Sequence, residues 1–458
     1  MNRRDFVKSA GSMAALATFP VQSGERVLKP IKIVNTNANF ERQPLIRPFG
    51  FKGGSMTEIW QTVALLESEN GVQKTGICTH NVLWSDAKVF ASHSESAGNA
   101  LMFATAERAL QIIKGQTFTH PVQLLDSILD EVYAYAKTIT RNPNLRKTFV
   151  LNALVGVDNA VWLLFAQENN IKSFDELIPA AYKPGLSHHH ERVASIPSMA
   201  YTIPVQEMKD AVKEGYFLMK IKLGQSGTQS EMLEKDKARL TAIQQAIGDA
   251  RTSYAANGKL PYYLDMNGRY EQKDTLSRLL DHARKIGAFD QIILVEEPFP
   301  EELEVAVGDF GVRVAADESA HSDADVRKRI QMGYEAIALK AIAKTLSMTM
   351  KMAQAAHELK TPALCADLTV NPNLLEWNKN VAARLAPFPG FGMGLMENNG
   401  HQNYKNWDTM RTYNATSGAS WAKTQRGVFQ LNTDYYQKSG GIFEPSAHYE
   451  ELAGGQGK

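Results

Sequence analysis

The sequence predicts an α/β fold, a (β/α) barrel that carries a separate N-terminal α+β domain. Two observations predict it. From about Ile196 onward, short apolar runs alternate with amphipathic helical stretches. Five of those runs end in charge: Lys220-Ile221-Lys222, Leu264-Asp265-Met266-Asn267, Val295-Glu296-Glu297-Pro298, Ala316-Asp317-Glu318-Ser319 and Ala338-Leu339-Lys340. The steps from Asp265 to Glu296, Asp317 and Lys340 are 31, 21 and 23 residues, about the length of one βα unit. In a barrel the C-terminal strand ends form one face, so charges placed there converge on one site. A doubly wound open sheet normally carries a glycine-rich phosphate turn after an early strand, and no GxGxxG occurs there.

In chain order, Asn2-Arg3-Arg4-Asp5-Phe6-Val7-Lys8 precedes a weakly apolar stretch, Ala10 to Phe19, and a small-residue site at Ala15-Leu16-Ala17. Basic residues, a short apolar region and small residues form an export signal. Adjacent arginines followed by Phe6 and Lys8 resemble the twin-arginine subtype. Residues 1–27 are therefore read as a signal that delivers the protein to the periplasm. Residues 28–185 form the α+β domain, with strands at Ile31–Val34, Thr57–Glu69 and Thr75–Thr79 and helices at Ala97–Ile113, Val122–Thr138 and Asn152–Gln167. Residues 186–400 hold eight barrel strands, beginning with Ala194–Met199 and ending with Gly394–Glu397. Residues 401–458 lack that rhythm, and Gly427–Leu431 is expected to return a strand to the N-terminal domain.

Composition narrows the function. The chain has 458 residues, is 44% hydrophobic and 22% charged, and has a formal net charge of +1. It has no long single-sign run, which argues against nucleic acid or membrane-surface partners. No uninterrupted apolar run is long enough to span a bilayer. Cys78 and Cys365 match neither a zinc spacing nor a disulfide framework. His188-His189-His190 sits between Pro184-Gly185 and the first barrel strand, which suits a solvated linker better than a metal cluster.

The acids define the site. Asp265, Glu296 and Asp317 end neighbouring strands, where carboxylates repel and raise one another's pKa unless a cation intervenes. An all-oxygen set suits Mg²⁺. Lys220 and Lys222, two apart on one strand, share a face, and Lys340 ends a strand across the barrel. A substrate on the metal would lie between their ammonium groups, and crowding gives such a lysine the means to act as a base.

Taken together, K-x-K, L-D-x-N, E-E-P, A-D-E-S and a lysine on the sixth strand resemble the muconate lactonizing enzyme subgroup of the enolase superfamily, in which a Lys or His base works with magnesium. The resemblance covers most of the chain. It implies a barrel of modified TIM type, (β/α)7β, with a capping domain completed by the C-terminal segment. It implies that Asp265, Glu296 and Asp317 bind Mg²⁺ and that Lys222 and Lys340 are an acid/base pair on opposite faces of the substrate. Lys220 would hold the substrate carboxylate and tune Lys222. Asn267 and Glu318 would orient the ligands and Lys340. Asp367 lines the pocket, and Glu397 stands where dipeptide epimerases hold a substrate ammonium. The loops Phe49–Gly54 and Leu83–Asp86 would close over the barrel.

These residues imply abstraction of a proton α to a carboxylate through an enediolate, giving an isomerase: racemisation or epimerisation of an amino-acid derivative or dipeptide. Acid-sugar dehydration or cycloisomerisation is the alternative, and a non-catalytic carboxylate-binding protein a third. The partner is a small carboxylate, and the family implies a homo-oligomer. The chain departs from the K-x-x-K-x-G-G run of many members: it reads Lys340-Ala341-Ile342-Ala343-Lys344-Thr345-Leu346, without the glycines. Lys344 reads as a surface residue of the next helix.

Overall fold

The computed structural model describes residues 27–454. The export signal therefore lies outside the described residues. The N-terminal domain is an antiparallel sheet packed against helices. Its strands β1 (Ile31–Phe51), β2 (Gly54–Ser68), β3 (Gln73–His80) and β4 (Thr117–Phe118) lie in the order β3-β2-β1-β4. β1 is far longer than its apolar start, Ile31–Val34, suggests. From Asn35 to Glu41 it carries mostly polar residues, many of them exposed. Pairing with β2 from Ser68 to Gly54 sets its length instead. The turn between them places Lys52 and Gly53 at φ 52° and 77°, the left-handed pair of a tight hairpin.

The helix Lys147–Glu168 is long and apolar enough to cross a membrane, yet 94% of its apolar window is buried inside the fold. It is the core helix of this domain, and it approaches β3 closely. A Cβ on Gly76 would lie 2.0 Å from the Gly156 carbonyl oxygen, so only glycine permits the contact.

The barrel begins with one run broken at Pro197 into β5 (Arg192–Ile196) and β6 (Ser198–Met199). The remaining strands are β7 (Met219–Lys222), β8 (Tyr262–Asp265), β9 (Ile292–Glu296), β10 (Val314–Ala316), β11 (Ala336–Leu339), β12 (Ala363–Cys365) and β13 (Gly394–Glu397). Neighbours pair in parallel from β6 through β13. Because β6 pairs with β7 while β5 pairs with β13, the first run closes the ring. The helices follow the expected apolar stripes. Leu276, Leu279, Leu280 and Ala283 are buried, as are Met348, Met352, Ala355 and Ala356. The helix Gln229–Ile247 starts at a capping box between Thr228 and Glu231.

The C-terminal segment corrects one expectation. β14 (Thr424–Gln425) and β15 (Val428–Gln430) form a hairpin, and β15 pairs antiparallel with β5 of the barrel rather than with the capping sheet. The edge of β5 beyond β13 supplied the free backbone groups. Contact with the capping domain comes from residues 404–406, where the Lys405 N–H donates to the Pro44 carbonyl, and from a helix, Ala447–Leu452. Its Tyr449 packs on Val63 and Leu65, while Asn37 and Asn39 of β1 donate to the carbonyls of Ala453 and Leu452. The histidine run is only partly a solvated linker. His190 is buried and bonds the Leu385 carbonyl, and His189 meets Asp175.

Candidate active site

Strand alternation on β7 turns Lys220 and Lys222 to the same side, and both are buried. Lys220 Nζ lies 2.9 Å from Asp265 Oδ2, 2.9 Å from Glu296 Oε1 and 3.0 Å from Glu397 Oε2. Burial disfavours its charge, but these carboxylates outweigh that cost and raise its pKa well above the ordinary lysine value. Lys222 Nζ donates to Asp265 Oδ2 at 2.5 Å and to Asn267 Oδ1 at 3.2 Å. Burial alone would raise the Asp265 carboxyl; Lys220 and Lys222 bring it down to about 2.

The opposite wall is built from β11, four strands away in the ring. Lys340 Nζ donates to Asp317 Oδ2. Burial opposes the ammonium and Asp317 more than restores it, so its pKa is raised. Lys344 overturns its expected surface position: it is fully buried. Its Nζ donates to the Asp317 carbonyl at 2.7 Å and the Ala338 carbonyl at 3.2 Å, and lies 3.1 Å from Asp317 Oδ1. It reaches inward because Ala341–Lys344 forms a single helical turn that ends at Thr345, held at φ 71°.

Between the walls, one carboxylate oxygen each from Glu296, Asp317 and Glu318 lies within 4.8 Å of the others. Among the described residues Glu296 Oε2 and Glu318 Oε2 accept no hydrogen bond, and Asp317 Oδ1 meets only the Lys344 ammonium. Burial, with Asp317 beside it, pushes Glu296 up to about 7. Unpartnered, crowded carboxylate oxygens of this kind fit a small hard cation such as Mg²⁺. The expected set of Asp265, Glu296 and Asp317 is thus gathered in part. Asp265 stands on the adjacent strand end and joins Glu296 through Lys220, its oxygens engaged by two lysines and the Asn267 N–H. Glu318 stands inside the carboxylate group, with Asn267 donating to its Oε1 at 2.9 Å.

Glu297 follows β9 at φ 39° and is buried. Its Oε2 accepts from the Asp317 and Ser319 N–H groups and from the Ser319 hydroxyl, holding the loop after β10. Asp367 and Glu397 pair across the ends of β12 and β13. Glu397 accepts from Lys220, the Asp367 N–H and Asn399 Nδ2. Burial and Glu397 together push Asp367 up to about 7. Glu397 Oε2 is therefore engaged in caging Lys220, while its Oε1 accepts one bond, from Asn399.

The two capping loops do close over the barrel. Trp84 Nε1 donates to Asp317 Oδ2 at 3.4 Å, and Lys340 Nζ lies 4.2 Å from the indole centroid. Phe51 covers Lys222 at 5.4 Å. Lys52, at the hairpin tip, donates to the Trp84 carbonyl and lies 3.7 Å from Glu318. Burial, reinforced by Arg146, lowers Lys52 to about 8. The glycine- and aromatic-bearing loops were visible in the sequence. Lys344 was not, since a lysine five residues beyond the strand carries no inward signal.

This capping sheet and closed barrel have counterparts among solved structures. A mandelate racemase/muconate lactonizing protein from Herpetosiphon aurantiacus superposes with a TM-score of 0.60 at 16% identity, covering 87% of this chain and 96% of that one. The fold is that of the mandelate racemase/muconate lactonizing enzymes. Residues 204–392 match the family described as enolase C-terminal domain-like. A dipeptide epimerase from Cytophaga hutchinsonii, complexed with Mg and D-Ala-L-Val, shares the fold at 16% identity and a TM-score of 0.59, covering 82% and 88% of the two chains. An L-talarate dehydratase from a Polaromonas species, complexed with Mg and L-glucarate, does so at 18% identity and a TM-score of 0.55, covering 82% and 88%. No curated protein sequence matches the chain. Solved structures that share the fold thus include epimerases, racemases and dehydratases alike.

Proposed function

We propose that the protein is an Mg²⁺-dependent isomerase that removes and returns the proton α to a substrate carboxylate. The observation that carries this reading is the facing pair of buried lysines, Lys222 on β7 and Lys340 just past the end of β11, each bonded to a carboxylate. Glu296, Asp317 and Glu318 would hold the cation, with Asp265 on the adjacent strand end. When bound, it would offset the negative charge that grows on the substrate carboxylate as the proton leaves. Lys222 and Lys340 exchange protons at the α-carbon from opposite faces. Lys220 holds the carboxylates of Asp265, Glu296 and Glu397 in register. Trp84 and Phe51 exclude water above the two amines.

The caged state of Glu397 favours a substrate whose amine is blocked, an N-acylated amino acid rather than a free dipeptide. The same engagement of Glu397 with Lys220 favours, as the second reading, elimination of water from an acid sugar. One experiment tests both. Amino acids, N-acyl amino acids, dipeptides and acid sugars are incubated with the enzyme and Mg²⁺ in D₂O. Deuterium uptake with loss of chirality supports isomerisation, loss of one water supports dehydration, and tight binding without deuterium uptake would leave only a binding protein. The arginine pair at Arg3-Arg4 supports export by the twin-arginine route; an Arg3→Lys, Arg4→Lys precursor should stay unexported in a fractionation assay.

A further inference from the structure

The proton exchange between Lys222 and Lys340 makes no use of Lys344. Yet Lys344 is fully buried, and a buried ammonium is costly unless close partners offset its desolvation. Its partners are the carbonyls of Asp317 and Ala338, at 2.7 and 3.2 Å, and Asp317 Oδ1 at 3.1 Å. The backbone is strained to bring it there. Thr345 ends the helical turn Ala341–Lys344 at φ 71° and ψ 154°, a region almost confined to glycine and unfavourable for a β-branched residue. Its hydroxyl accepts from the Met348 N–H and starts the next helix, and its side chain is buried, so capping and packing hold the turn. Strain of this kind collects at functional sites. Here it presents an ammonium to Asp317, which stands in the carboxylate group with Glu296 and Glu318. Asp317 Oδ2 is engaged by Lys340 and Trp84. Oδ1 is therefore the oxygen left for a cation, and Oδ1 is the one that Lys344 meets.

On the Mg²⁺ reading of this site, we propose that Lys344 is a positioning residue that sets how tightly the carboxylate group takes a divalent cation: an internal ammonium that orients Asp317 and competes for its Oδ1. Two carbonyls anchor the ammonium, so an arriving dication shares Asp317 with it rather than driving it out. Positive groups that share one carboxylate repel, and even at the dielectric of water that repulsion weakens binding by about ten-fold. Lys344 thereby holds Asp317 in place before the cation arrives and keeps the bound cation exchangeable.

The test is calorimetric titration of the full chain with Mg²⁺ and with Mn²⁺, after EDTA treatment and dialysis, beside the rise in melting temperature that each ion gives. Lys344→Met removes the ammonium. Lys344→Gln removes the charge but keeps N–H donors for the two carbonyls. Both variants should bind either ion at least about ten-fold more tightly than the wild-type chain, or bind where the wild-type chain shows no heat. Lys351→Met makes the same charge change at the ion pair with Asp126 and should leave the affinity unmoved. A structural role alone would lower the melting temperature in EDTA without tightening the ion. Unchanged or weaker binding in either Lys344 variant, or equal tightening in Lys351→Met, overturns the proposal and leaves the Mg²⁺ reading standing. Loss of the folded state in both Lys344 variants also overturns it, because the ammonium would then be a requirement of the fold. No binding by the wild-type chain or by either variant overturns the Mg²⁺ reading and the proposal together.

Discussion

The two walls of the barrel each bury a pair of lysines, and they are built by different means. On β7 the pair is two residues apart and comes from strand alternation. On the β11 side it is four apart and comes from a strand end followed by one helical turn. Their environments run parallel nonetheless. In each pair one lysine is locked, Lys220 by three carboxylates and Lys344 by two carbonyls and Asp317. The other stands next to an aspartate beneath an aromatic ring, Lys222 under Phe51 and Lys340 under Trp84. The comparison teaches that each wall pairs an amine fixed by several acceptors with one held beside an aspartate, and that the chain reaches this by whichever local geometry is at hand.

The largest effect should come from the working amines. Lys222→Ala and Lys340→Ala should each lower α-proton exchange from one face by about 10²–10⁴-fold, read by mass spectrometry in D₂O with each enantiomer in turn. Equal loss from both faces in either variant would break the symmetry drawn here. Next come the locked amines. Lys220→Met leaves Asp265, Glu296 and Glu397 crowded without their shared cation and should cost about 3–5 kcal/mol in urea denaturation. Lys344→Met removes one ammonium from an aspartate that keeps Lys340, and strands two carbonyls, so about 1–3 kcal/mol is expected. Equal costs would mean that the two cages are equivalent.

The smallest effect sharpens the second wall. Asp158, on the capping helix Lys147–Glu168, accepts from the N–H and hydroxyl of Ser347, at the start of the helix that follows Lys344. Burial raises its carboxyl to about 6, against about 4 in the unfolded chain. Between those values the folded protein keeps a proton that the unfolded chain has lost, so this group's contribution to stability falls as pH rises from about 4 to 6. Asp158→Asn removes that titration and keeps an oxygen for the Ser347 N–H. Melting temperatures at the two ends of that range should show a flatter slope for the variant, by at most about 1–2 kcal/mol in stability. An unchanged slope would mean that Asp158 does not titrate there.

Much of this was legible in the sequence because charge at the end of a buried strand is hard to explain otherwise. Asp265, Glu296, Asp317, Lys222 and Lys340 all announced themselves that way, and the alternation of apolar runs carried the barrel with them. What escaped depended on tertiary contact. Lys344 looks like a helix-surface residue until Thr345 turns the chain at φ 71°. Glu318 was placed beside the site, but its approach to Glu296 is a matter of backbone path after β10. The bond from Lys220 to Glu397 was equally hidden, because a sequence cannot tell which carboxylates an internal lysine engages. The polar length of β1 was invisible because its partner strand, not its own pattern, fixes it.

The bonds from Asn37 and Asn39 to residues 452 and 453 join positions more than four hundred residues apart. During synthesis at about 5–20 residues per second, β1 leaves the ribosome some tens of seconds before its outer partner exists. The lid half of the molecule is finished only after translation reaches that helix, so a nascent chain stalled within the barrel would expose an incomplete lid to chaperones and proteases.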